Sequence, residues 1–114
     1  MSPDKIALAY SILLIIQCLH SLEELSTGFH RKWYLFSMPF SVFLTFEIAF
    51  LLFWMFVWLT PTLSYRESLM AFFNLLMFAN GVQHLVWAGV VKKYVPGLIT
   101  APLFIVVLLW FYFS

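Results

Sequence analysis

Charged residues are scarce in this sequence, since Asp, Glu, Lys and Arg together make up 10% of its 114 residues. There are four glycines and one cysteine. A single cysteine excludes an internal disulfide and any metal site that needs several thiolates. The formal net charge is only +1, which excludes the strongly basic surface of a nucleic-acid-binding protein, so we expect no nucleic-acid partner.

Apolar residues are abundant instead: 64% of the sequence is hydrophobic and 21% is aromatic. The apolar residues fall into four runs, each long enough to cross about 30 Å of hydrocarbon as a helix. They extend from about Lys5 to Ser26, from near Pro39 to Leu59, from just after Glu67 to Val91, and from Pro96, a favourable first helical residue, to Phe113. We therefore predict an all-α, polytopic membrane protein in which residues 1–114 form one bundle of four transmembrane helices.

The basic residues are unevenly divided between the two ends of the predicted bundle. Four follow the first and third runs and two lie at the opposite end: Arg31, Lys32, Lys92 and Lys93 against Lys5 and Arg66. Because basic loops stay on the cytoplasmic side, we expect both termini to face outward.

Ionisable side chains nevertheless occur inside three of the four runs. His20, Glu23 and Glu24 lie in the first run, Glu47 in the second and His84 in the third. At 1.5 Å per residue, His20, Glu47 and His84 lie roughly 12 to 14 Å from the same membrane face. Such groups are costly in lipid and point to the bundle interior, so we expect them to meet around one pocket.

Imidazoles and carboxylates are typical ligands of a divalent metal ion, and we expect zinc, with iron or manganese as alternatives. The proposed ligands are His20, Glu24 and His84. Glu23 or Glu47 would then act as general base and Asn80, one turn before His84, as a polarising donor. The sequence thus favours a metal-dependent hydrolase.

The surroundings of this site predict an apolar substrate and contact with membrane lipids. Phe43, Phe50 and Trp54 share a helical face with Glu47, and we expect them to line a pocket for a lipidic or otherwise apolar small molecule. Tyr94 and Thr100 would border its mouth. A bundle of this size buries little interior, which also favours a homodimer.

Three other functions fit the same residues. A glutamate and a histidine could activate water without a metal, by analogy with glutamate-dependent intramembrane proteases. A buried carboxylate cluster could couple proton movement to the transport of a small molecule or ion. The cluster could also hold the helices together by hydrogen bonds within a structural or interaction subunit of a membrane complex.

Three motifs in order resemble the signature of a known family. They are His20-Ser21-Leu22-Glu23-Glu24, the later His84, and Tyr94-Val95-Pro96-Gly97. Together they resemble the HXXEE domain family, small bacterial and archaeal membrane proteins. The resemblance implies a bacterial or archaeal cell membrane and the site residues His20, Glu23, Glu24, His84, Tyr94, Pro96 and Gly97, but no particular activity.

Overall fold

The chain folds into five helices and no strands, and the structure, a computed structural model, describes all residues from Met1 to Ser114. The helices are α1 (Pro3–Thr27), α2 (Phe29–Lys32), α3 (Phe40–Leu59), α4 (Arg66–Val91) and α5 (Ala101–Phe113). Three of them, α1, α3 and α4, are long and apolar enough to cross a membrane, whereas α5 is apolar but has only 13 residues. The all-α prediction is confirmed, and the three long helices fit a membrane protein.

The ends of α1 and α3 follow from local sequence signals. Ser2 caps α1 by accepting a hydrogen bond from the Lys5 backbone N–H, and Gly28 ends it in the left-handed region with φ +83°. Helix α3 begins after Pro39 and ends at Leu59, just before Thr60-Pro61. The predicted bounds of α1, α3 and α4 are confirmed to within about two residues.

The predicted start of the fourth apolar helix at Pro96 is wrong, because α5 begins at Ala101. Residues 96–100 form successive turns, and Gly97 has φ +96°, outside the helical region. Helix α5 has 13 residues and is therefore about 20 Å long, which is less than the thickness of the hydrocarbon layer.

The helices pack around a core of large apolar side chains. Tyr10 of α1 is fully buried, and its hydroxyl donates to the Trp54 carbonyl of α3 over 2.5 Å. Helix α5 lies close to α4, since a Cβ on Gly81 would come within 2.7 Å of the Ala101 carbonyl oxygen. At the far end of α5 the Lys5 ammonium donates to the Ser114 carbonyl over 2.6 Å. The start of α1 and the end of α5 therefore lie at the same end of the bundle.

Candidate metal site and adjoining cavity

Two imidazoles and one carboxylate meet in the interior, where α1 faces α4. His20 and Glu24 lie one turn apart on α1, so both side chains leave the helix on the same side. His84 approaches from α4, and its Nε2 atom lies 3.1 Å from Glu24 Oε2. His20 Nε2 lies 3.5 Å from the same oxygen. The exposed fractions are 0% for both histidines and 4% for Glu24.

This triad has the spacing that a small divalent ion requires. One ligand atom from each residue lies within 4.8 Å of the other two. Ligand atoms about 2.1 Å from a tetrahedral ion are about 3.4 Å apart, close to the distances of 3.1 Å and 3.5 Å to Glu24. In addition, His20 Nε2 is buried without a hydrogen-bond partner. The triad His20, Glu24 and His84 could therefore hold a metal ion, as the sequence predicted.

A chain of hydrogen bonds behind His20 determines which of its two ring nitrogens carries no proton. Thr100 Oγ1 donates its proton to Glu23 Oε1 over 2.7 Å. The same hydroxyl oxygen lies 2.7 Å from His20 Nδ1 and must accept there, because its only proton is already used. His20 therefore carries its proton on Nδ1, which leaves the Nε2 lone pair directed toward Glu24.

His84 has hydrogen-bond partners for both neutral tautomers. Its Nδ1 lies 2.9 Å from the Asn80 backbone carbonyl oxygen. If Nδ1 carries the proton and donates it there, Nε2 is unprotonated and can bind a metal ion. Alternatively, Nδ1 accepts from the Gln83 side-chain amide over 2.9 Å, and Nε2–H donates to Glu24. His84 can thus change between a metal-ligating form and a form that is hydrogen-bonded to the carboxylate.

Glu23 is held by residues 94–100, which lie between α4 and α5 and which we call the strap. Its carboxylate accepts hydrogen bonds from the Ile99 and Thr100 backbone N–H groups, each over 3.0 Å, and from the Tyr94 hydroxyl over 2.5 Å. Glu23 therefore anchors the strap to α1.

The strap covers the imidazole pair on the side of α5. Val95, Pro96 and Gly97 are buried, although they belong to no helix. A Cβ added to Gly97 would lie 2.5 Å from His84 Nε2 and 2.7 Å from His20 Cε1. Only a residue without a side chain fits here, so the Tyr-x-Pro-Gly motif forms the lid of the triad.

Glu47 of α3 lies beside the triad without joining it. Its Oε2 accepts a 2.5 Å hydrogen bond from the Ser21 hydroxyl, which in turn accepts from the Gln17 side-chain amide over 3.1 Å. Glu47 is only 5% exposed. Ser21 and Gln17 thus fix the orientation of the Glu47 carboxylate.

A cavity of about 770 Å³ opens between α1, α3 and α4 and reaches the triad at Glu24. Twelve of its 17 lining residues are hydrophobic. The polar side chains in its wall are Gln17, Glu24, Glu47, Asn80 and Gln83. Helix α3 packs only sparsely against α4, which leaves the space that the cavity fills.

The predicted substrate-binding residues are divided between the cavity and other parts of the molecule. Phe43 and Phe50 line the cavity. Trp54 lies outside it, buried against Tyr10 and Phe73 in the core. Tyr94 and Thr100 lie on the opposite side of the triad, where both bind Glu23.

Several residues of the site were missed by sequence reasoning. Ser21 lies within the first motif, but a serine in an apolar helix gives no indication that it will bind Glu47. Phe29 stacks on His84 with ring centroids 6.0 Å apart, and it resembles any other aromatic residue near a helix end. The Ile99 backbone amide has no sequence signal at all.

Comparison with known proteins identifies one family. A family model described as "Protein of unknown function with HXXEE motif" matches residues 11–112, a range that includes all three motifs. No curated protein and no solved structure matches the chain.

Proposed function

This chain belongs to the HXXEE family, whose function is unknown, and we propose from its own geometry that it is a metal-dependent membrane enzyme. Its substrate would be a lipidic or otherwise apolar small molecule, and its reaction a hydrolysis. The observation that carries the proposal is the contact between the buried triad and the apolar cavity. Glu24 belongs to both, so a molecule in the cavity would reach the metal ligands.

Zinc is the ion that we propose for the triad. Two imidazoles and one carboxylate form the ligand set of several catalytic zinc sites, which keep a fourth position open. A zinc ion bound there would supply a Lewis acid and lower the pKa of a coordinated water.

Glu47 is better placed than Glu23 to act as the general base. Glu47 lines the cavity, and Ser21 binds only its Oε2, so Oε1 is available to take a proton. The Glu23 carboxylate is already engaged by Tyr94, Ile99 and Thr100. We assign Glu23 to anchoring the strap.

Asn80 is suited to polarise a substrate carbonyl from the cavity wall. Its Oδ1 accepts from the Gln83 amide over 3.2 Å, which fixes the side-chain orientation. The Nδ2 group then remains free to donate to a substrate oxygen.

The proposal includes a membrane topology with four crossings, in which the strap and α5 together form the fourth. The contact between Lys5 and Ser114 supports it, because it brings both termini to one end of the bundle. Four basic residues near the opposite end favour outward-facing termini in a bacterial or archaeal cell membrane. A homodimer would cover more of the exposed apolar surface.

The test is metal analysis of protein purified from the membrane fraction. We expect about one zinc per chain in the wild type, and loss of that zinc in His84→Ala and in the nearly isosteric Glu24→Gln. His30→Ala is the matched control, because His30 lies outside the triad, and it should keep the metal.

Two results would overturn the metal proposal. One is a wild-type protein without stoichiometric metal, even after zinc is supplied. The other is a metal content that both triad variants retain. Metal-free protein that takes up a solute into vesicles along a pH gradient would establish the transport alternative instead.

A further inference from the structure

The wall of the cavity has an unusual electrostatic composition at its polar end. It contains two carboxylates, Glu24 and Glu47, but no lysine, arginine or histidine. A ligand with a phosphate or carboxylate headgroup would therefore find further oxygen acceptors and no basic side chain to bind it, which is unfavourable in a low-dielectric site.

Two side-chain oxygens at this end of the cavity receive no hydrogen bond from the protein. Gln17 is 3% exposed, and its Oε1 atom has no hydrogen-bond partner. Glu47 uses only Oε2, which accepts from Ser21. A buried acceptor without a donor is costly, so these oxygens favour a ligand that brings N–H or O–H groups.

The remainder of the cavity suits an alkyl chain. Phe43, Phe46 and Phe50 line it along α3, and the exposed fractions of Phe46 and Val42 are 58% and 53%. This side of α3 would face lipid, so an apolar chain could enter directly from the bilayer. A volume of about 770 Å³ lies within the range of sites for one small molecule.

We propose that the cavity binds a single-chain amphiphile whose headgroup carries hydrogen-bond donors and no negative charge, such as a hydroxyl, primary amide or amine. The headgroup lies at Gln17 and Glu47, and the chain lies along the phenylalanines of α3. That this ligand is also the substrate rests on the proposed function; its binding does not, because the headgroup partners are not triad residues.

Binding is tested on metal-free full-length protein in nanodiscs with a photoactivatable hexadecanol. Unlabelled hexadecanol, hexadecanamide, hexadecylamine, palmitate and hexadecyl phosphate compete for labelling, and mass spectrometry maps the labelled residues. We expect labels on the cavity wall. The three uncharged or cationic probes should compete at concentrations at least about tenfold lower than the two anions.

Matched variants separate this preference from general partitioning into lipid. Glu47→Gln should reduce the discrimination against anions, whereas Glu67→Gln, an exposed glutamate in the first turn of α4, should not. Ala79→Trp, on the exposed side of α4 and in the cavity wall, should weaken labelling by occupying part of the cavity. Anions that compete as well as hexadecanol, or labels that map outside the cavity, would overturn the inference. If the cavity binds the ligand but metal analysis finds no metal in the purified wild-type protein, the enzyme proposal alone is overturned.

Discussion

Glu23 and Glu24 are neighbours in sequence but have different partners. Because successive helical residues turn by about 100°, Glu24 points at the imidazoles while Glu23 points at the strap. Glu24 keeps one oxygen between two histidine nitrogens, as a ligand requires. The two acidic residues of the motif therefore have separate roles: Glu24 belongs to the triad, and Glu23 anchors the strap.

Thr100 links these two roles, which makes it a positioning residue that can be tested. Thr100→Val keeps the shape of the side chain but removes the hydroxyl between His20 and Glu23. We expect metal affinity to fall by about 10- to 100-fold, as for other groups that orient a metal-binding histidine. Competition with a chromophoric chelator measures this affinity.

Thr100→Ser is the matched control, because it restores the hydroxyl without the methyl group. It should bind metal within a few-fold of the wild type. If Thr100→Val binds as tightly as the wild type, or if Thr100→Ser is equally weakened, the hydrogen-bond chain does not orient His20.

At the residue scale, the sequence was sufficient to predict the triad but not what surrounds it. His20 and Glu24 share a face through helical periodicity, and His84 was placed by counting residues from the membrane edge. The partners of Glu23 could not be predicted in this way, because two of them are backbone amides. The position of a backbone amide depends on the path of the chain.

The strap is the element whose conformation depends most on one residue. Gly97 combines φ +96° with close contact to both imidazoles, so Gly97→Ala is strained in its backbone and clashes with His84. We expect it to destabilise the protein by at least about 2 kcal/mol and to weaken metal binding. Thermal unfolding in detergent and the chelator assay measure the two effects.

Gly89→Ala provides the comparison, because a Cβ at Gly89 meets nothing within 4 Å and the residue lies inside α4. This substitution should leave metal binding unchanged and stabilise the helix by up to about 1 kcal/mol. Equal effects of the two alanine substitutions would contradict the role of Gly97 in closing the lid.

The strap also explains why the start of α5 could not be predicted. Pro96 is acceptable in the first turn of a helix, and the apolar run continues without interruption, so sequence pattern favours a helix from that residue. Tertiary contacts decide otherwise, because Val95 and Pro96 are buried and the Ile99 and Thr100 amides bind Glu23. The bounds of α1, α3 and α4 were predicted accurately, whereas the short helix α2 was predicted to be a basic loop.

The whole molecule combines a closely packed half with an open one. Helices α1, α4 and α5 pack together around the triad, whereas α3 contacts α1 and leaves the cavity between itself and α4. The packing of α3 follows from side-chain volumes on three helices at once, which no single sequence window contains. The cavity could therefore be anticipated only through the phenylalanines on the face of Glu47, of which Phe43 and Phe50 line it and Trp54 does not.

The topology of the molecule can be tested by the accessibility of single cysteines. In a Cys18→Ala background, Ser2→Cys and Ser114→Cys lie at one end of the bundle and Lys93→Cys lies at the other. Because basic loops remain cytoplasmic, a membrane-impermeant maleimide should label the first two in intact cells, and Lys93→Cys only after permeabilisation. Labelling of Ser2→Cys without Ser114→Cys would mean that α5 does not complete a fourth crossing. The reverse pattern, with Lys93→Cys labelled from outside, would keep the four crossings and invert the orientation.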